Sequence, residues 1–255
     1  MEYIVSLLSS FSPKELVVPR EVSRMIREKF PDYYTSFLDE WAFVYDSCYE
    51  RLCKQFSTKS LKGFAVEKFP LGICAAGSLI VYLEQTQHIG LKNICSISRI
   101  DENKFVWMDR FTFRNLEIFE SASGRDGVSL VSVIDRCCSP MGARLLRQWL
   151  SMPVMDTGEL NRRYDIVQFF FDNDGALREI QDYISDVGDL ERIISRAATG
   201  KIAPREVMQL ARGLAQMGPV ADLCKGHDVK ALDSLVNGMK NCGVLLETIR
   251  RTMAG

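Results

Sequence analysis

Hydrophobic positions recur at helical spacing over most of the chain and at strand spacing only in short runs before residue 110. The clearest helix runs from Ser139 to Trp149, Ser-Pro-Met-Gly-Ala-Arg-Leu-Leu-Arg-Gln-Trp. Ser139 suits an N-cap, because its hydroxyl can accept a hydrogen bond from an orphan amide of the first turn. Pro140 sits where a missing N–H costs nothing. Met141, Leu145 and Trp149 recur every four residues, with Leu146 and Leu150 beside them, and form one apolar stripe. Arg144, Arg147 and Gln148 fall on the other side, and Pro153 ends the run.

Upstream, the two periods alternate. Ile4, Leu7, Leu8 and Phe11 predict a short amphipathic helix over Glu2 to Phe11. Glu15-Leu-Val-Val-Pro19 reads as a strand, Glu21 to Phe30 as a helix and Tyr33 to Leu38 as a second strand. Glu40 to Phe56 predicts a helix with Phe43, Cys48, Leu52 and Phe56 along one face. The next helix runs from Pro70 to about Gln87; its middle is apolar nearly all round, which predicts burial on several sides. Ala75, Ala76 and Gly77 are small enough to admit a close neighbour. Strand and helix in alternation indicate an α/β sheet domain. Two strands make too small a sheet to stand alone, so the sheet is expected to be incomplete. Ser96 to Ile100 and Lys104 to Met108 read as short strands around the turn-prone Asp101-Glu-Asn103.

From Ser129 the chain reads as helix after helix. Asp156-Thr-Gly-Glu159 is a capping box opening a helix with Leu160, Tyr164, Val167 and Phe170/Phe171 on one face. Leu177, Ile180 and Ile184 mark the next. Asp189 opens another, with Leu190, Ile193, Ile194 and Ala197 inside and Gly200 as its stop. Pro204 starts a helix carrying Val207, Leu210 and Leu214, which Gly218-Pro219 is expected to interrupt. Two more centre on Ala231 and Val244.

Composition narrows the chemistry. The 255 residues are 47% hydrophobic and 25% charged, with a formal net charge of −1. A chain dedicated to gripping a phosphate backbone carries a basic excess, so charge does not favour DNA binding by this piece alone. Eight cysteines contain no Cys-x-x-Cys pair, so they read as reduced, cytosolic thiols acting as small buried hydrophobes rather than as zinc ligands. No apolar run reaches membrane-spanning length. His88 and His227 read as surface residues, and Thr199-Gly-Lys-Ile202 lacks the first glycine and the hydroxyl of a phosphate loop. Asp182, Asp186 and Asp189 cluster as helix caps. Arg192, Arg196, Lys201 and Arg205 read as a solvated face, and Phe169 to Phe171 as core. The residues alone describe a helical scaffold joined to an α/β piece, with no active site.

The motifs say more. Met108-Asp-Arg-Phe-Thr-Phe-Arg-Asn-Leu-Glu-Ile118, Ser129-Leu-Val-Ser-Val-Ile-Asp135, Ser139 to Pro153, Asp189-Leu-Glu-Arg-Ile193 and Ala203-Pro-Arg-Glu206 resemble, in order, the start of the core (lever) domain of the MutS family of DNA mismatch repair proteins. Ala75 to Gln87 looks like the helix closing that family's connector domain. Thr112-Phe-Arg-Asn115 stands where the family usually has Thr-Arg-Arg-Asn, and Ser139 where it usually has threonine. None of the fourteen phenylalanines begins the family's mismatch-reading Phe-x-Glu motif. The resemblance covers nearly the whole chain, most loosely over residues 1–68.

It implies an RNase H-like α/β connector portion with an incomplete sheet at residues 1–98, then a mostly α-helical core or lever portion at 99–255, together an excised piece of a longer protein. The implied role is a structural and allosteric module linking mismatch recognition to an ATPase and to MutL. No catalytic, metal or cofactor residue is implied in this piece. ATP and Mg2+ belong to the full-length parent, a cytoplasmic DNA-dependent ATPase acting as a homodimer on mismatched double-stranded DNA, away from membranes. Arg144 and Arg114 are expected to tie helix junctions, and Asp109 and Asn115 to cap the start of the core domain. Ser139 caps its helix, Asp189 with Arg192 holds a bend, and Arg205 belongs to the Ala203-Pro-Arg-Glu element. Two other readings compete: a stand-alone protein-interaction scaffold, and an RNase H-like nuclease. The nuclease would need three clustered acids on adjacent strands, which these strands do not show.

Overall fold

The computed structural model describes residues 4, 7–8, 13–87, 91, 94–100, 104–124, 127–198, 200–240 and 242–253. Most of the helix expected over Glu2 to Phe11, the turn Asp101 to Asn103 and His88 lie outside the described residues. The backbone divides into two compact units, residues 12–101 and residues 102–255, with the described N-terminal residues grouped with the second.

In the first unit, β1 (Glu15–Pro19) and β2 (Tyr34–Leu38) form a two-stranded parallel sheet, Glu15 opposite Tyr34 and Val17 opposite Ser36. Parallel strands need a crossover, which a 3-10 turn (Arg20–Val22) and helix α1 (Ser23–Lys29) supply. The helix expected from Glu40 is broken: Glu40–Phe43 is 3-10 and α2 begins at Tyr45, running to Gln55. Val44 between them is extended, and its N–H goes to the Trp41 carbonyl. Helix α3 (Pro70–Gln87) packs on α2 around Cys48, Leu52, Leu61, Ile73 and Ile80. A Cβ at Gly77 would lie 2.4 Å from the Cys48 Cβ, so only glycine lets these helices meet so closely. The expectation that α3 is buried on several sides fails on one flank. Leu71 is 84% and Leu79 48% exposed, with Ala75 exposed between them: among the described residues no neighbour covers this flank.

The second unit is helical among its described residues: α4 (Arg110–Asn115), α5 (Leu130–Ile134), α6 (Pro140–Ser151), α7 (Thr157–Asp172), α8 (Asp174–Val187), α9 (Leu190–Ala198), α10 (Pro204–Leu223), α11 (Lys230–Gly238) and α12 (Gly243–Met253). The strands expected at Ser96–Ile100 and Lys104–Met108 do not form; Phe105 makes a single antiparallel bridge to Val154. Two cores hold α7 to α12. Phe169, Ile180, Val220, Cys224, Leu232 and Val236 fill one, and Ile193, Leu210, Ala211 and Ile249 the other. Helix α10 contributes to both, so its roughly 30 Å length is a shared wall.

Several expected details differ. Helix α10 runs through Gly218-Pro219 without interruption. A proline collides with the Cβ of the residue before it when that residue is helical; Gly218 has none, and burial of Val220 and Cys224 beyond the proline holds the last turn. In α7, Tyr164, Val167 and Phe171 are 62%, 63% and 80% exposed, whereas Phe169 is buried. Ile166 to Phe171 is apolar on almost every side, so periodicity does not choose its inner face. Leu145 and Trp149 of α6 are nearly half exposed, as is Ile194 of α9, and Ala197 is also exposed. Only the first half of the Asp156 box forms: Asp156 accepts the Glu159 N–H at 2.7 Å, while Glu159 turns to Arg162 and Arg163. Among the cysteines, Cys48 and Cys224 are buried, but Cys95, Cys137 and Cys138 are exposed; none is in a disulfide.

Candidate functional site: a clamped helix junction

The densest polar construction joins α6, α9 and the bend before α9. Gly188 makes that bend at φ 72°, ψ −155°, a region that only glycine enters without strain. Asp189 follows, and its Oδ1 accepts the Arg192 N–H at 3.2 Å, capping the first turn of α9. The same carboxylate takes both arms of the Arg144 guanidinium, Nη1 to Oδ2 at 2.9 Å and Nη2 to Oδ1 at 2.7 Å. Arg144 also donates through Nη2 and Nε to Glu191 Oε2, at 2.7 and 3.1 Å. One arginine on α6 thus holds the cap and the first turn of α9 by charge-assisted bonds.

The bend is fixed from its other side by α10. A Cβ at Gly213 would lie 2.4 Å from the Val187 carbonyl oxygen and 2.8 Å from Leu190 Cδ2. Helix and bend therefore touch backbone to backbone. Where α9 turns into α10, Arg196 donates to the Lys201 carbonyl and pairs with Glu206 at 2.6 Å. Glu206 in turn accepts the Ala203 N–H at 2.8 Å. At the far end of α6, Arg163 of α7 lies 3.7 Å from the Trp149 ring centroid, a cation–π contact.

Electrostatics follow this geometry. Hydrogen bonding from Arg144 outweighs partial burial and holds the Asp189 carboxyl below the ordinary aspartate range. The same bonds push the Arg144 guanidinium further up, so it stays charged at any working pH. Hydrogen bonds from Thr112 lower Asp109.

The other motif residues are scattered by comparison. Asp109 caps α4, accepting the Thr112 N–H at 2.7 Å, and Ser139 caps α6, accepting the Gly142 N–H at 3.1 Å. Arg114, Asn115 and Arg205 are exposed, and the guanidiniums of Arg114 and Arg205 meet no ionic or hydrogen-bonding partner among the described residues. Arg192 contributes its backbone N–H to the bend, with its side chain exposed. Sequence reading missed Glu191, Gly188 and Gly213. The first lies inside Asp-Leu-Glu-Arg, and the glycines carry no periodic signal.

Among the described residues, no group of three or more histidines, cysteines, aspartates or glutamates is placed to hold a metal ion. No helix among them is long and apolar enough to cross a membrane. The junction presents no nucleophile beside a base; what it can do chemically is fix, or release, the angle between helices.

The family model for MutS domain II matches residues 1–95 and that for MutS domain III matches residues 111–254. Similar curated proteins include the DNA mismatch repair protein MutS of Flavobacterium psychrophilum, 39% identical over 253 residues, and that of Christiangramia forsetii, 41% identical over 254. The protein of the same name from Phocaeicola vulgatus is 41% identical over 251 residues. The matches cover 98–99% of this chain but only 29% of each relative.

Proposed function

The chain belongs to the MutS family of DNA mismatch repair proteins, carrying connector and core portions, and from that premise we propose that it is the mechanical link of a mismatch sensor. In this reading the connector portion has the RNase H-like fold and offers a surface to MutL. The helices of the core portion carry a two-state change between clamped mismatched DNA and a distant ATP site. ATP, Mg2+, the mismatch-reading side chain and the second subunit belong to other parts of the full-length cytoplasmic protein, and this piece performs no catalysis itself. Such coupling requires rigid elements and a junction with discrete arrangements, not reactive side chains.

The observation that carries the reading is the Arg144 fork on Asp189 and Glu191. It grips the cap of α9 while Gly188 supplies the bend and α10 backs it. A junction held by one partly covered ionic clamp can be rigid in one state and released in another. The clamp is tested by Arg144→Lys in a full-length protein carrying this segment. Lysine keeps the charge and loses the fork. The expected result is unchanged mismatch affinity without nucleotide, with slower or incomplete release from mismatched DNA on adding ATP. Equal release by both proteins overturns the proposal.

A further inference from the structure

We propose that Cys48 and Cys74 form a peroxide-oxidisable dithiol that staples α2 to α3. The two lie on facing helices where Gly77 allows a close approach, the Cys48 Sγ being only 2.8 Å from where a Gly77 Cβ would sit. Cys74 is one turn before Gly77 on the same helix. The Cys48 thiol donates to the Ala42 carbonyl at 3.2 Å and to the carbonyl of Cys74 itself at 3.5 Å. The Cys48 sulfur therefore lies across the interface against the backbone of Cys74, and a turn of its S–H away from the Ala42 carbonyl frees it for the Cys74 sulfur. This inference does not rest on the family reading.

The environments of the two thiols differ, and the difference sets the order of events. Cys48 is 1% exposed; burial, then the neighbouring Cys74 thiol, pushes it above the ordinary thiol range. Cys74 is only half-buried and is the one a small oxidant can reach. Its thiolate attacks one oxygen of hydrogen peroxide; the O–O bond breaks, hydroxide leaves and is protonated to water, and Cys74 becomes a sulfenic acid. The Cys48 sulfur then attacks the sulfenic sulfur. The S–S bond forms as the S–O bond breaks, and the departing hydroxide takes the Cys48 proton as the second water. Two thiols lose two electrons in all, and one peroxide gains them. The exposed neighbours Cys137 and Cys138 have adjacent Cα atoms, a poor geometry for a disulfide, and Cys53 lies on the same helix as Cys48.

The test treats the folded chain with hydrogen peroxide, blocks remaining thiols and maps linked peptides by mass spectrometry. The expected product joins the peptide containing Cys48 to that containing Cys74, two hydrogens lighter than the reduced pair. Its melting midpoint should lie roughly 10 °C above that of the reduced chain, because the link closes a loop in the unfolded state. Cys48→Ser and Cys74→Ser each abolish link and shift, whereas Cys53→Ser and the double variant Cys137→Ser/Cys138→Ser retain both. Over-oxidation of Cys74 without the link, a link to Cys53, or a Cys48–Cys74 link that appears only in urea overturns the proposal.

Discussion

The Arg144 clamp allows its energy to be worked out before it is measured. The side chains of Arg144, Asp189 and Glu191 are 48%, 20% and 69% exposed. The Glu191 arm faces water and contributes at most a few tenths of a kcal/mol, as exposed pairs do. The Asp189 arm is bidentate and four-fifths covered, between exposed pairs at about 0.2–1 kcal/mol and fully buried ones whose rupture costs about 3–5. We therefore expect Arg144→Ala to cost about 1.5 kcal/mol, a fall of roughly 3–6 °C in the melting midpoint of a unit this size. Asp189→Asn separates charge from capping, because asparagine still accepts the Arg192 N–H. Thermal and urea unfolding of the chain, both single variants and the double variant then give an interaction energy free of the cap. It should be about 1 kcal/mol. A value within about 0.3 kcal/mol of zero, the ordinary error of additivity, would refute the clamp.

Other expectations follow from the same geometry. Asp189 has a folded pKa below its unfolded one, so its contribution is complete above the ordinary aspartate value of about 3.9 and is lost as pH falls through the lower folded value. The stability gap between the chain and Arg144→Ala should thus be flat across neutral pH and close only in acid; a gap closing near pH 6 counts against the assignment. Gly213→Ala should lower the melting midpoint despite the better helix former, since its Cβ meets the Val187 backbone. Gly218→Ala, which meets nothing within 4 Å, offers up to about 1 kcal/mol of helix propensity against the new crowding before Pro219. It should therefore be far less harmful than Gly213→Ala, and the reverse order in parallel melts would contradict the close approach. Ser139→Ala should cost about 1 kcal/mol by loss of the cap, read by urea unfolding. The chain alone should bind duplex DNA weakly, lose that binding steeply with salt and ignore mismatches, as fluorescence anisotropy with paired and mismatched duplexes would show.

How much was legible depended on whether a signal was local. Ser139-Pro140, Gly200 and the strand Glu15–Pro19 declare themselves within a few residues, and each lies where the sequence puts it. The helix beginning at Pro70 was legible in type and start, yet its uncovered flank was not, because an evenly apolar helix carries no sign of which side lacks a neighbour. The aromatic run in α7 failed for the same reason. The order of the motifs was informative where periodicity was silent, pointing at both Arg144 and Asp189. It did not join them, since no local pattern links residues on different helices. Gly188 and Gly213 were invisible because their importance lies in the atoms brought against them.

The Arg144–Asp189 link spans 45 residues of sequence, whereas the caps and the Arg196–Glu206 turn span at most about ten. Local contacts form cheaply and early, while a distant ion pair must await the docking of helices that are already made. The clamp then belongs to the native side of the folding barrier, and removing it should leave the folding rate nearly unchanged while speeding unfolding about tenfold for a loss of about 1.4 kcal/mol. It is in that sense a brake: it governs how long the junction persists once made, more than how readily it is made.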